Sequence, residues 1–309
     1  MPEEPLRIRL GMLKRRYLRG ASRRGLQALA AVKGTEQPPS GPVFVVGCPR
    51  SGTSLLWTIL KRHEELRSLP GEGHVLWSTY QHPRAKGWSS DRATVDDIHP
   101  REARYLYTSI ERVTKGARFL DKTPKSVLRI PYLARLFPDA TFVFLKRDGR
   151  STVNSLIEGW RVRHGVSYRV PQRLHLDGYS GHMWSYILPE GWREWTETTV
   201  ADVAAFQYAS SYDTALVDLK ARDARSVVEI TYEDLVARPV EEVARLLEAL
   251  ELGPSTAVME VAGNLSAYPV VANSPPRPEK WRDRADEIAR IMPRIAPTME
   301  RLGYAVSEP

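Results

Sequence analysis

Apolar positions along this chain alternate between two periods. Short apolar runs at Val43–Val46, Thr141–Lys146 and Val227–Thr231 have the length of strands buried on both faces. Weaker strands are predicted at 66–69, ended by Pro70-Gly71, and at 119–121, closed by Lys122-Thr123-Pro124. Between these runs apolar residues recur at helical spacing over about 52–61, 101–115, 127–137, 149–159, 202–221, 240–250 and 283–302. Pro131 interrupts the third of these, and Pro293 and Pro297 bend the last. Residues 160–199 follow neither period and read as a long irregular insert. Strands alternating with helices predict an α/β fold, a mainly parallel central sheet with helices on both faces. The polar, proline-containing stretch 34–41 divides the chain into a basic helical segment with its linker, 1–41, and one domain, 42–309.

Parallel sheets bind ligands beyond the carboxyl ends of their strands. The notable polar residues fall there: Arg50 to Ser54 after the first strand, Glu72 after the second, Lys122 after the third, Arg147 after the fourth and Tyr232 after the fifth. Randomly placed loops would not put anion-binding and ionisable groups so consistently on one edge. The first of these loops, G-C-P-R-S-G-T-S over 47–54, joins a buried strand to a helix start, where free N–H groups and the helix dipole attract an anion. A nucleotide-triphosphate loop would carry lysine where Thr53 stands; here the cation comes earlier, at Arg50.

The run PRSGTS followed by two leucines resembles the 5′-phosphosulfate loop of sulfotransferases that use 3′-phosphoadenosine 5′-phosphosulfate (PAPS), with Arg50, Ser51, Gly52, Thr53 and Ser54 as its contacts. Arg147 at a strand end and Ser155 eight residues later resemble that family's 3′-phosphate cradle; a solvated arginine and a helical serine are the plainer reading of either alone. Glu72 and His74 in PGEGHVLW resemble the family's base segment, with Glu72 as base and His74 orienting it or touching substrate. Lys122 in DKTP resembles the lysine that stabilises charge on the transferring group, and Arg50 stands where cytosolic members carry lysine. Lys280 and Trp281 match the late loop that closes over PAPS, and Tyr232 borders the adenine or packs in the core. Leu55 stands where cytosolic members stack a tryptophan on the adenine, so adenine recognition must differ. The resemblance covers roughly residues 42–303. It implies the sulfotransferase form of the P-loop-like fold and sulfuryl transfer from PAPS to a hydroxyl or amine. A kinase with a displaced cation and a degenerate P-loop binding module are the alternatives.

Composition trims this picture. The net charge of +8 over 309 residues is concentrated in residues 1–33, where nine basic residues face two acids. The body is near neutral, which argues against a nucleic-acid partner. Leu6, Leu10, Leu13 and Tyr17 form an apolar stripe beside those arginines, suiting a helix on an anionic membrane surface and, equally, one packed on the domain. No apolar run approaches the roughly 20 residues of a membrane span, and no apolar leader is evident, so a cytoplasmic setting is expected, peripheral at the membrane if that stripe faces lipid. The single cysteine, Cys48, excludes an internal disulfide and any cysteine-built zinc site. The seven histidines lack metal-ligand spacing, and no metal is expected. Trp160, Trp184, Trp192 and Trp195 crowd the insert with Tyr168, Tyr179 and Tyr186. They predict aromatic walls on the acceptor side and a hydrophobic or aromatic alcohol acceptor, drawn from small molecules, lipids or saccharides. Oligomeric state is not legible from the sequence.

Overall fold

The computed structural model describes residues 24–267, 277 and 279–306. Five parallel strands form the central sheet: β1 (Val43–Val46), β2 (Leu66–Arg67), β3 (Arg118–Asp121), β4 (Thr141–Lys146) and, later in the chain, Val227–Thr231. Their spatial order is β2-β3-β1-β4 followed by the Val227–Thr231 strand, with Val43 opposite Thr141 and Phe142 opposite Val227. The pleat sends alternate residues to opposite faces. Phe44, Val46, Phe142 and Phe144 therefore enter one apolar core, and Val43, Val45, Val143 and Leu145 the other.

Each face is covered by helices whose apolar positions match the predicted spacing. α1 (Thr53–Leu60) lays Leu55, Leu56, Ile59 and Leu60 on the Val43 side. The short α2 (His74–Trp77) follows β2, and α3 (Glu102–Thr114) covers the Phe44 side. The helix expected over 127–137 divides: a 3₁₀ turn, Pro124–Leu128, precedes α4 (Ile130–Leu136), with Pro131 in the first turn where its missing N–H costs nothing. α5 (Gly149–Arg161) follows β4.

The stretch 160–199 is ordered, correcting the expected irregular insert. β5 (Val166–Leu176) and β6 (Tyr179–Ser185) pair antiparallel, and β7 (Glu197–Thr198) adds to β5 as a separate three-stranded sheet. Then come α6 (Val200–Lys220), β8 (Val227–Thr231), α7 (Tyr232–Ala237), α8 (Pro239–Ala249), α9 (Thr256–Gly263) and α10 (Ala285–Arg301). The second strand is shorter than expected, two residues. The tryptophans of the insert also depart from expectation. Trp184 and Trp192 are fully buried and Trp160 nearly so. Their indole N–H groups donate to Ile187 O, Trp88 O and Gln207 Oε1 respectively, while Trp195 stacks on Phe206. They anchor the second sheet to the core and do not wall a cleft. The stripe at Leu6, Leu10, Leu13 and Tyr17 lies outside the described residues; 24–33 is helical, with Ala30 buried.

Candidate active site

An open cleft of about 1860 Å³ lies beyond the carboxyl ends of the central strands. That is larger than the 300–1,000 Å³ typical of one small ligand, so two substrates can lie in it side by side. Of the residues picked from sequence, Arg50, Gly52, Thr53, Ser54, Glu72, His74, Arg147, Ser155, Tyr232, Lys280 and Trp281 line it. Ser51 and Lys122 do not: Ser51 is fully buried beneath the loop, and Lys122 stands behind Glu72.

The loop after β1 is shaped by two left-handed residues, Arg50 at φ 71° and Gly52 at φ 107°. Gly52 is required twice over, since a Cβ there would lie 2.3 Å from Tyr232 Cδ2. The helix that follows has no side-chain cap and no acid in its first turn, so its N–H groups stay available to an anion. The start of α5 differs, because Asp148 already accepts from Ser151 N at 3.0 Å. The tight loop also buries Cys48, and burial pushes its thiol up to about 12, a filler rather than a nucleophile.

Arg50 and Arg147 meet at this loop. Arg147 Nη1 donates to Arg50 O at 3.0 Å, and Arg50 Nε donates to Ser155 Oγ at 3.2 Å. The expected pairing of Arg147 with Ser155 is thus relayed through Arg50. Arg147 also lies 3.9 Å over the Tyr232 ring, which fixes Tyr232 as a platform for the guanidinium. Among the described residues, neither arginine forms an ion pair with a carboxylate, and Arg147 Nε is buried with no hydrogen-bond partner. Other cations on this side are matched: Arg150 with Asp148 at 2.8 Å and Lys280 with Glu158 at 2.8 Å. Trp281 is buried between Arg150 and Arg282, holding the late loop at the cleft rim.

Across the cleft, Glu72 uses both carboxylate oxygens. Lys122 Nζ contacts Oε1 and donates to Ser54 Oγ at 3.1 Å, while His74 Nε2 donates to Glu72 Oε2 at 2.7 Å. Burial would raise Glu72, but the His74 hydrogen bond and the Lys122 charge outweigh it and hold the carboxyl down at about 2. Burial pulls His74 below its ordinary value against the opposing pull of Glu72. Gly73 between them is pinned because its N–H donates to Thr123 Oγ1 at 2.9 Å, and that hydroxyl donates to buried Asp121 Oδ1 at 3.0 Å. Sequence reasoning missed Arg150, Ser151, Asn154 and Glu158, which share the cleft face of α5 with Ser155. Their helical spacing from Arg147 was a signal available to find them. It also missed Lys125, three residues beyond Lys122.

The sulfotransferase family model matches residues 42–255. Protein-tyrosine sulfotransferase 1 of Danio rerio is 26% identical over 287 residues, covering 85% of this chain and 72% of that protein. A putative protein-tyrosine sulfotransferase of Caenorhabditis briggsae is 31% identical over 120 residues, 38% of this chain and 42% of that protein. This chain therefore spans about two-fifths of the latter's length. Among solved structures, a Mycobacterium avium sulfotransferase aligns at TM-score 0.55 and 14% identity, over 89% of this chain and 80% of that one. The sulfotransferase domain of the Synechococcus olefin synthase aligns at TM-score 0.51 and 17% identity, over 88% and 97%. At such identities these two structures speak for the fold alone.

Proposed function

This chain belongs to the sulfotransferase family, and on that premise we propose that it moves a sulfuryl group from PAPS to a hydroxyl or amine acceptor. The observation that carries the reading is the pair Arg50 and Arg147. Two guanidiniums held together beside an uncapped helix start, with no carboxylate between them, call for a polyanion. A nucleotide with separate 5′ and 3′ anions fits that donor set: the 50–54 loop takes the phosphosulfate, and Arg147 with Ser155 takes the 3′-phosphate. PAPS supplies an activated sulfuryl group whose sulfur bonds the acceptor as its bond to the 5′-phosphate oxygen breaks.

The remaining chemistry belongs to the chain. Glu72 has lone pairs to spare beyond those facing Lys122 and His74, and it takes the acceptor proton. A carboxyl at about 2 is a weak base while Lys122 sits on it. Lys122 bridges Ser54 and Glu72, so a small turn toward the phosphosulfate loop would stabilise charge there and raise the basicity of Glu72 at the same moment. His74 orients the carboxylate. A cytoplasmic setting, and contact with a membrane through the part of the basic segment that precedes residue 24, belong to the same proposal.

Thermal-shift titration with 3′-phosphoadenosine 5′-phosphate (PAP) tests the nucleotide half; AMP, lacking the 3′-phosphate, should stabilise far less. Equal response to the two would remove the second cradle. Transfer of labelled sulfate from PAPS should drop at least 100-fold in Glu72→Gln. Loss in His74→Ala with Glu72→Gln active would reverse the two roles.

A further inference from the structure

Two buried cations, Lys125 and Arg129, share one buried carboxylate, Asp91. Asp91 is already satisfied without Lys125. Its Oδ1 accepts from Arg129 Nη2 at 3.1 Å and from the Tyr168 hydroxyl, and its Oδ2 accepts from Leu188 N at 2.8 Å. Arg129 is further fixed by donating to the Asp91 and Gln81 carbonyls. Lys125 Nζ lies 3.7 Å from Asp91, beyond a hydrogen bond; it donates to the Tyr168 hydroxyl and sits 3.7 Å over that ring. The cluster thus carries one positive charge more than its carboxylate neutralises. A surplus charge kept this far from water is costly unless something opposes it.

The surplus faces the cleft. Lys125 and Tyr168 line it on the Glu72 and His74 side, and Arg129 does not. Arg84 and Arg169 stand exposed at the mouth of the same half. The one acid among the lining residues there, Glu72, is engaged by Lys122 and His74. Trp88 packs edge-on against the Tyr168 ring at 5.9 Å, and Tyr186 and Met183 line the same cleft.

We propose that Lys125 is a specificity-determining residue that receives an anionic substituent, a carboxylate or a phosphate, on the acceptor, with Tyr168, Asp91 and Arg129 as the frame that holds its ammonium toward the cleft. The inference rests on the transfer reading only in that the anion belongs to the acceptor. It sharpens the expected aromatic or hydrophobic alcohol into one that bears an anion away from its hydroxyl.

The test uses the full chain saturated with PAP, so that the arginine cradle is filled, and two probes, benzoate and phenyl phosphate, with benzamide as the neutral match. At pH 7 either anion should raise the melting temperature and benzamide should not; which anion binds more tightly assigns the substituent. Lys125→Met should lose the response at least tenfold in apparent affinity, and Lys125→Arg should keep it. The pH dependence separates a direct contact from a structural one. Burial lowers Lys125 to about 8, so wild-type binding should fade as pH rises through 8, while the arginine variant holds its anion to higher pH. The other charged or titratable groups facing Lys125 are Asp91, Arg129, Tyr168, Glu72 and His74. Glu72, held at about 2, does not titrate across that window. Equal binding of benzamide, undiminished binding in Lys125→Met, or no anion response in PAP-loaded wild type would each overturn the proposal. Failure of PAP itself to bind would instead sink the nucleotide reading, and a Lys125-dependent benzoate response would survive it.

Discussion

At the scale of single residues, the catalytic candidates were readable but their coupling was not. Glu72, His74 and Lys122 stand out in the sequence as polar residues at strand ends, yet nothing in it says that Lys122 reaches back fifty positions to Glu72. That contact exists because β2 and β3 are neighbours in the sheet, a fact of topology. Asp121 reads in the sequence only as the first residue of the DKTP stretch. In the structure it is fully enclosed, and burial raises it to about 6 against the hydrogen bond from Thr123. The unfolded chain releases this proton near 3.8, so between about pH 4 and 6 the folded chain holds a proton that the unfolded chain lacks. Stability should therefore fall as pH rises through that window, on the order of 3 kcal/mol at 1.36 kcal/mol per unit. Asp121→Asn keeps an acceptor for Thr123 and cannot ionise. Calorimetric melting temperatures of the two proteins should diverge by several degrees from pH 4 to pH 7, the asparagine variant becoming the more stable. Parallel profiles would mean that Asp121 titrates normally.

At the scale of elements, legibility followed the period. Strands buried on both faces announce themselves as apolar runs, and β1, β4 and β8 sit where those runs fall. β5 was illegible because its alternation is interrupted: the buried positions keep one phase, but Gln172 falls exposed among them. Tyr168 and Val170 point inward, then Pro171, Gln172 and Arg173 intervene at a register shift, and burial resumes at Leu174 and Leu176. A proline inside an interrupted alternation argues against a strand, and only the pairing with β6 and the packing of Trp184 restore it. The junction of β1 and α1 was the most legible element, and its glycine makes a sharp prediction. Gly52→Ala would put a methyl against Tyr232 and force alanine to φ 107°. The melting temperature should drop by several degrees, and PAP affinity should fall more than tenfold as the loop shifts. Adding Tyr232→Ala removes the clash but leaves the backbone strain, so the double variant should recover only part of either loss. Full recovery would assign the whole effect to the ring.

At the scale of the whole molecule, the two cores on either side of the sheet account for the α/β class read from the sequence, but the edges of the domain were set by packing. The late helix α10 lies beyond residue 255, where the family match ends, yet it buries Ile288, Ile291, Ile295 and Met299 in the main core. At the other end, part of the segment that precedes residue 42 packs on the domain. Ala30 is buried, Thr35 N donates to Thr108 Oγ1 at 3.1 Å, and Arg104 Nε donates to Gly34 O at 3.2 Å, so 24–35 is tied to α3. For this described part, packing on the domain is the observed outcome. The membrane contact proposed for the remainder must then reside in residues 1–23, which hold seven basic residues against two acids. Deleting 1–23 should leave the melting temperature within about one degree and PAP affinity unchanged, because it removes none of the contacts just named. The same deletion should weaken sedimentation with anionic liposomes, and that weakening should vanish in high salt, since charge near the membrane surface is screened within a Debye length. Deleting 1–35 strips the tie to α3 and should lower the melting temperature by several degrees. Liposome binding that survives the shorter deletion would end the membrane reading, and a melting loss already complete at 1–23 would mean that the first residues pack on the domain.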